Sequence, residues 1–208
     1  MKKILIAWAL TGFLANFSVA ENTPIYSQSS SIASSHLQAA DTQPSQDLKQ
    51  EIDSYLFDAA RAGNVEMLNV FVESGYDLNR QDAKGYTALI LAAYNGKKEA
   101  VDFLLDNGAD PCTEDKRGNT ALLGAIFKGE VRIARTLMKA ECTTNHQNNA
   151  GQTPAMYAAL FQRSEILDAL KENGADLTLQ DHAGNSVESL QTIATQAPHL
   201  QGLPSEHP

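Results

Sequence analysis

The sequence predicts an all-α solenoid of stacked helix-turn-helix units joined by β-turn or hairpin loops. Three observations predict this fold. The chain repeats at a constant interval, because equal steps lead from Gly85 to Gly118, Gly151 and Gly184. Each unit contains two short apolar segments with helical periodicity, separated by glycine in all the complete units but the last. No unit of this length can bury its own apolar face, so neighbouring units must cover one another.

In the unit spanning residues 82–114, the residue types match the structural role of each successive position. Asp82 and Gly85 suit a tight turn, in which glycine can take a positive φ. Thr87 is placed to cap the first helix, whose narrow apolar face contains alanines that allow close helix packing. Gly96 ends that helix, and a second apolar helix follows before the next unit begins.

Two further complete units and two caps complete the array. The complete units are 82–114, 115–147 and 148–180, within a repeat domain predicted over 45–195. The N-terminal cap, 45–81, lacks the opening turn, and its helix is predicted to bury one stripe, made of Leu48, Ile52, Tyr55 and Leu56. The C-terminal cap, 181–195, is predicted to be a half unit whose helix buries Val187, Leu190 and Ile193.

The first 44 residues are predicted to be a signal peptide and a linker. Lys2 and Lys3 precede an apolar run at 4–14 and a small-residue exit that ends at Ala20, which is the expected cleavage site. The alternative is an uncleaved membrane anchor, for which the apolar run is short. Residues 21–44 are rich in serine, glutamine and threonine and are expected to be a flexible linker. Residues 196–208 are expected to be a disordered tail.

The charge of the chain argues against nucleic acid as a partner. The formal net charge is −9, and it becomes −11 without the leader, which carries two lysines and no acidic residue. Polyanions select surfaces rich in lysine and arginine. We therefore expect no nucleic-acid binding. After cleavage of the leader, we also expect no insertion into a membrane.

The repeated residues resemble the ankyrin repeat, whose pattern runs Asp-x-x-Gly-x-Thr-Pro-Leu-His-x-Ala-Ala and ends in Gly-Ala-Asp. The matching stretches are 85–89, 118–122, 151–155, 108–110 and 174–176. Ile90, Leu123 and Met156 replace the histidine of the pattern. Glu141 and Gln162 replace helix-ending glycines, so local irregularity is expected in the units 115–147 and 148–180. With its leader, the chain resembles exported bacterial ankyrin proteins.

This resemblance implies a protein-binding scaffold with contacts on the loop tips and the inner helix face. The implied contact positions are Lys84, Tyr86, Tyr94, Asn95, Arg117, Asn119, Phe127, Lys128, Gln152, Leu160 and Phe161.

Tyr94, Phe127 and Leu160 are separated by the same interval as the repeated glycines, so stacking should align them in a row on the concave face. Exposed aromatic side chains in such a row are typical anchors of interfaces. The alternative is that they pack against neighbouring helices at the edge of the core.

The two cysteines, Cys112 and Cys142, lie at the loop bases of consecutive units. In an exported chain an even number of cysteines indicates a disulfide, which here would cross the boundary between the units. The alternative is a pair of small buried thiols.

The leading functional hypothesis is a non-enzymatic, monomeric scaffold that binds a folded protein in the periplasm. The resemblance implies that it protects or regulates an exported enzyme, in a role connected with oxidative stress. One alternative is an immunity-type inhibitor of a toxin; others are a ligand-binding protein or enzyme, and a structural spacer of the envelope. No cofactor and no metal site are expected, because the five histidines lack metal-ligand spacing with a cysteine and no nucleophile or phosphate-loop motif is present.

Overall fold

A computed structural model describes residues 46–140, 142 and 144–196. These residues form nine α-helices and no strand, which confirms the predicted all-α repeat solenoid. The predicted signal peptide, the linker at 21–44, Glu141 and the tail beyond residue 196 lie outside the described residues. In chain order the helices are α1 Gln46–Ala62, α2 Val65–Glu73, α3 Ala88–Tyr94, α4 Lys98–Asp106, α5 Ala121–Lys128, α6 Val131–Leu137, α7 Pro154–Leu160, α8 Ser164–Glu172 and α9 Val187–Gln196.

The helices form two layers. Each first helix packs against the first helix of the next unit, so α1, α3, α5, α7 and α9 form one layer. The second helices α2, α4, α6 and α8 form the other layer in the same order. The main contacts of each helix are therefore with the other helix of its unit and with the equivalent helices of the neighbouring units, as expected for a solenoid.

Alanine between the layers allows the helices to approach closely. Ala92, Ala125 and Ala158 are completely buried at equivalent positions of the three complete units. Larger aliphatic side chains fill the remaining space, among them Leu104, which is completely buried, and Ile166, which is 1% exposed. One continuous core therefore runs the length of the stack, because each unit covers the apolar face of the previous one.

The predicted side-chain cap is present on two of the three first helices in the complete units. The hydroxyl oxygens of Thr87 and Thr153 accept hydrogen bonds from the backbone N–H of Ile90 and Met156, at 3.2 and 3.3 Å. Thr120 occupies the same position but makes no such side-chain bond.

Each of these helices is followed by a residue with positive φ. This residue is Gly96 after α3 and Gly129 after α5, with φ of 67° and 77°. Gln162 takes the same conformation, with φ of 54°, where the family pattern has glycine. The backbone at Gln162 therefore adopts the same conformation as the equivalent glycines, so the irregularity expected in this unit is absent at this residue. In the preceding unit α6 has 7 residues, whereas α4 and α8 have 9 each.

Two predicted core positions in the cap helices are exposed. Leu48, in the first turn of α1, is 40% exposed. Ile193 is 43% exposed. Ala194, which lies four residues after the buried Leu190, takes the inward position instead and is 2% exposed. The predictions that Leu48 and Ile193 belong to the core are therefore wrong.

A buried carboxylate ties the N-terminal helix to the following loop. Both oxygens of Asp53 accept hydrogen bonds from the guanidinium of Arg80, at 3.0 and 2.7 Å, and Tyr76 donates its hydroxyl to the same carboxylate at 2.8 Å. Burial alone would raise the pKa of Asp53, but the hydrogen bonds from Arg80 and Tyr76 outweigh it, so the pKa is lowered. Burial and the bond to Asp53 raise the pKa of Tyr76 to about 12.

Candidate functional site

The loop tips are held by a turn that recurs in each unit. A side-chain oxygen at its first residue accepts backbone N–H groups two and four residues later, at 2.8–3.0 Å. The first residues of the four turns are Asp82, Asp115, Asn148 and Asp181. The aspartates therefore act as turn formers, as the sequence predicted, and the predicted contact residues Lys84, Tyr86, Arg117, Asn119 and Gln152 follow them at fixed backbone positions.

Backbone hydrogen bonds connect each turn to the next. Lys116 donates its N–H to the carbonyl of Lys84, and Asn149 donates to Arg117, both at 3.0 Å. The third junction, from His182 to Ala150, has the same length. The four loop tips therefore form a continuous, preorganised row, so a partner would not have to order them on binding.

A polar cluster links the second and third of these turns. Asn148 donates its amide N–H to the amide oxygen of Asn119 at 2.9 Å, and the Tyr157 hydroxyl donates to the same oxygen at 3.2 Å. The amide nitrogen of Asn119 donates to Asp115 at 3.2 Å. The side chain of Asn119, a predicted contact residue, is thus engaged within the protein.

An open cavity of about 360 Å³ lies beside this cluster and is lined partly by Arg117, Asn119 and Gln152. Tyr157 also lines it, and sequence analysis had not singled out this residue. Burial, followed by the nearby charge of Asp115, raises the pKa of Tyr157, although the bond to Asn148 opposes the shift. Tyr157 therefore stays protonated at neutral pH and can serve as a hydrogen-bond donor. The one sequence feature that pointed to this cluster was Asn148, because each of the other three turns begins with aspartate.

The predicted row on the inner helices is a set of contacting side chains. The rings of Tyr94 and Phe127 are stacked, with centroids 5.9 Å apart and planes 10° from parallel. The ammonium of Lys128 lies over the Tyr94 ring, 5.0 Å from its centroid. The Phe161 ring meets Phe127 edge-on at 4.8 Å. Lys128 follows Phe127 in the chain and contacts Tyr94 of the preceding unit. In the same way, Phe161 follows Leu160 and contacts Phe127 of the preceding unit.

These aromatic contacts differ from the prediction at one point. The third aromatic ring is supplied by Phe161, one residue beyond the predicted row position Leu160, and Tyr157 packs against it at 5.6 Å. Phe127 is 37% exposed, whereas Tyr94, Leu160 and Phe161 are partly buried. The row therefore combines packing between units with an exposed apolar surface, as a preformed anchor site requires.

Ile193 continues this row onto the C-terminal cap. It follows Leu160 by the same interval that separates Leu160 from Phe127, and it lies on α9, which packs against α7. We define the concave row as Tyr94, Phe127, Leu160 and Ile193. Phe127 and Ile193 are two of the three large hydrophobic side chains that are exposed among the described residues, the third being Leu48.

The structure contains a disulfide between Cys112 and Cys142, so the alternative of two free thiols is wrong. The two Cα atoms are 5.5 Å apart, and the bridge spans 30 residues of sequence. It joins the loops that follow α4 and α6, and therefore crosses the boundary between two units as predicted. A cavity of about 410 Å³, lined in part by Ala109 and Pro111, adjoins these loops.

The described part of the chain has no group of three or more histidine, cysteine, aspartate or glutamate side chains placed to hold a metal ion. Within that part, too, every helix falls short of the length or apolar character needed to cross a membrane. His146 lies 2.8 Å from the carbonyl oxygen of Gly118 and thus connects the end of the unit 115–147 to the opening turn of the same unit.

Comparison with known families agrees with this geometry. A family model described as ankyrin repeats (3 copies) matches residues 33–115, 56–148 and 112–181. The matched ranges together run from residue 33 to residue 181, which is more than half of the 208 residues. The chain belongs to the ankyrin repeat family, whose repeats form protein–protein interaction scaffolds.

Proposed function

We propose that this protein is an exported, non-enzymatic scaffold that binds a folded protein in the periplasm through its loop tips and concave row. The observation that supports it best is the exposed Phe127, stacked on Tyr94 and contacted by Phe161. An aromatic anchor already held by its neighbours loses little conformational freedom on binding, so more of the contact energy remains as affinity.

The partner that we propose is an exported enzyme, which the scaffold protects or regulates under oxidative stress. The leader-like sequence that ends at Ala20 supports export, and the bridge between Cys112 and Cys142 suits an oxidising compartment. No chemistry of the scaffold itself is required, because binding alone can stabilise or block an enzyme.

Capture from a bacterial periplasmic extract tests the binding surface. The full chain is immobilised beside a Tyr94→Ala/Phe127→Ala variant and a Phe103→Ala control, which truncates a partly buried aromatic residue on the outer helix α4. We expect a partner that the wild type and the control retain and the double variant loses, with all three proteins equally helical by circular dichroism. Equal capture by the double variant would show that the concave row is not the binding surface.

Fractionation tests the location. Expressed in a bacterium, the full chain is expected in the periplasmic fraction, with Glu21 as its first residue by intact-mass spectrometry. A chain that keeps its leader and stays in the cytoplasmic or membrane fraction would contradict export.

A further inference from the structure

Four basic side chains lie on the loop tips and beside the concave row of a protein whose formal net charge is −9. Lys84, Lys116 and Arg117 lie on the loop tips and are exposed, and none of them forms an ion pair with another described residue. Lys128 adds a fourth positive charge beside the row, over the ring of Tyr94.

The acidic side chains on this face are already engaged. One oxygen of Asp82 accepts two backbone N–H groups, and the other lies 3.7 Å from the guanidinium of Arg61. Asp115 is 9% exposed and accepts two backbone N–H groups and the amide of Asn119. Within residues 82–86 and 115–119, the charged side chains that are not so engaged are therefore the three cations.

Exposed acidic residues are spread over the rest of the described chain. Most lie on the second helices and on the loops that follow them, at Glu66, Glu73, Asp77, Glu99, Asp106, Asp110, Glu165, Asp168, Glu172 and Asp176, and others lie on the first helices α1 and α9, at Asp47, Glu51, Asp58 and Glu188. Glu114 precedes the second turn, with its carboxylate 3.7 Å from His146. The unpaired cations of the two turns therefore form a local positive patch on a chain that is acidic as a whole. Such a distribution orients an approaching charged partner and increases its rate of association.

We propose that the basic loop tips and the concave row together bind an acidic polypeptide segment of the partner, with its apolar side chains along the row from Tyr94 to Ile193. Its carboxylates would pair with Lys84, Lys116 and Arg117. This inference rests on the proposed scaffold function and adds the chemistry of the partner. The exposed Ile193 extends the contact onto the cap helix α9.

A polypeptide fits this surface better than a nucleic acid does. The facing surfaces of the Tyr94 and Phe127 rings are occupied by each other, so they do not offer open platforms for bases. The remainder of the row is aliphatic, at Leu160 and Ile193.

Fluorescence anisotropy with the full chain and defined probes tests the inference. The probes are a labelled peptide that alternates glutamate with leucine and phenylalanine, a second with lysine at every glutamate, a third with serine at every apolar position, and an oligothymidylate. We expect the first peptide to bind at least about tenfold more tightly than each of the others, and its affinity to fall as salt is raised. Equal binding of the glutamate and lysine peptides, or preference for the oligothymidylate, would overturn it.

Matched variants test whether the acidic peptide binds at the loop tips and the concave row. Lys116→Gln/Arg117→Gln is expected to weaken the first peptide by about tenfold, and Ile193→Ser by roughly fivefold. The control Lys139→Gln/Lys171→Gln removes two exposed charges from the outer side and should leave the affinity unchanged. If the control weakens binding as much as the loop variant, the surface is wrongly assigned. If the Tyr94→Ala/Phe127→Ala variant loses the captured partner but the wild type does not bind the acidic peptide, the proposed scaffold function is retained and only this inference is overturned.

Discussion

The backbone N–H of Lys116 donates to the carbonyl oxygen of Lys84 at 3.0 Å, which brings two consecutive turns into direct contact. Gly85 lies at this contact with φ of 83°. A Cβ atom there would be 2.7 Å from the Lys116 nitrogen, closer than real Cβ atoms approach backbone. The glycine is therefore required both by its conformation and by the neighbouring unit.

Gly85→Ala is expected to lower the free energy of unfolding by about 3 kcal/mol or more, because it combines the strain of positive φ with a clash against backbone. Gly184→Ala is the matched control. Gly184 has φ of 81° but no heavy atom within 4 Å of the position of its Cβ, so only the conformational cost of about 1–2 kcal/mol applies. Urea denaturation measures the loss of unfolding free energy in both variants. Equal losses would show that the contact between turns contributes nothing.

The bridge between Cys112 and Cys142 is expected to stabilise the oxidised protein by about 3–4 kcal/mol, because it closes a loop of roughly 30 residues in the unfolded chain. Cys112→Ser/Cys142→Ser should lower the urea midpoint, and dithiothreitol should lower that of the wild type to a similar value. The double variant should not respond to dithiothreitol. A wild-type midpoint that dithiothreitol leaves unchanged would contradict a stabilising bridge.

The carboxylate of Asp53 is expected to stabilise the N-terminal cap at neutral pH. Asp53→Asn should lower the free energy of unfolding by about 2 kcal/mol at pH 7, because it weakens charge-assisted hydrogen bonds from Arg80 and Tyr76. The matched control is Asp58→Asn, since Asp58 is 73% exposed and its pair with Arg61 lies in solvent. That control should change the stability by less than about 0.5 kcal/mol.

The effect of Asp53 should also depend on pH. Its pKa is lowered in the folded protein, so its contribution is fully present above the unfolded value of about 3.9 and is lost as pH falls through the folded value. The difference in urea midpoint between wild type and Asp53→Asn should therefore shrink as pH falls from about 7 to about 3. A constant difference over this interval would mean that the ionised carboxylate is not the stabilising form.

The positions set by local chemistry could be predicted from the sequence. Asp82 forms the turn, Thr87 caps the helix and Gly96 takes positive φ, because each requirement is met within a few residues of chain. The alignment of Tyr94 with Phe127 was also predictable, since stacking of equal units brings equivalent positions together. The bridge between the cysteines followed from the same alignment, although spacing alone left free thiols open.

The errors concern residues whose surroundings depend on the ends of the stack. Leu48 and Ile193 carry the right periodicity for a core, but they lie on the two terminal helices, where they are 40% and 43% exposed. Leu160 was predicted as the row position, whereas the ring that meets Phe127 belongs to Phe161, one residue further along the chain. The hydrogen bond from Tyr157 to Asn119 joins residues 38 apart, which no local pattern reveals.

The dissociation constant of the captured partner, measured by calorimetry with Phe127→Ala and with the outer-helix control Arg132→Ala, tests the binding surface most directly. Truncating an exposed, prepositioned aromatic anchor is expected to weaken binding by about 2 kcal/mol, or roughly thirtyfold. The control should bind like the wild type. Affinities of all three proteins that agree within about twofold would contradict the assignment of the concave row as the partner site.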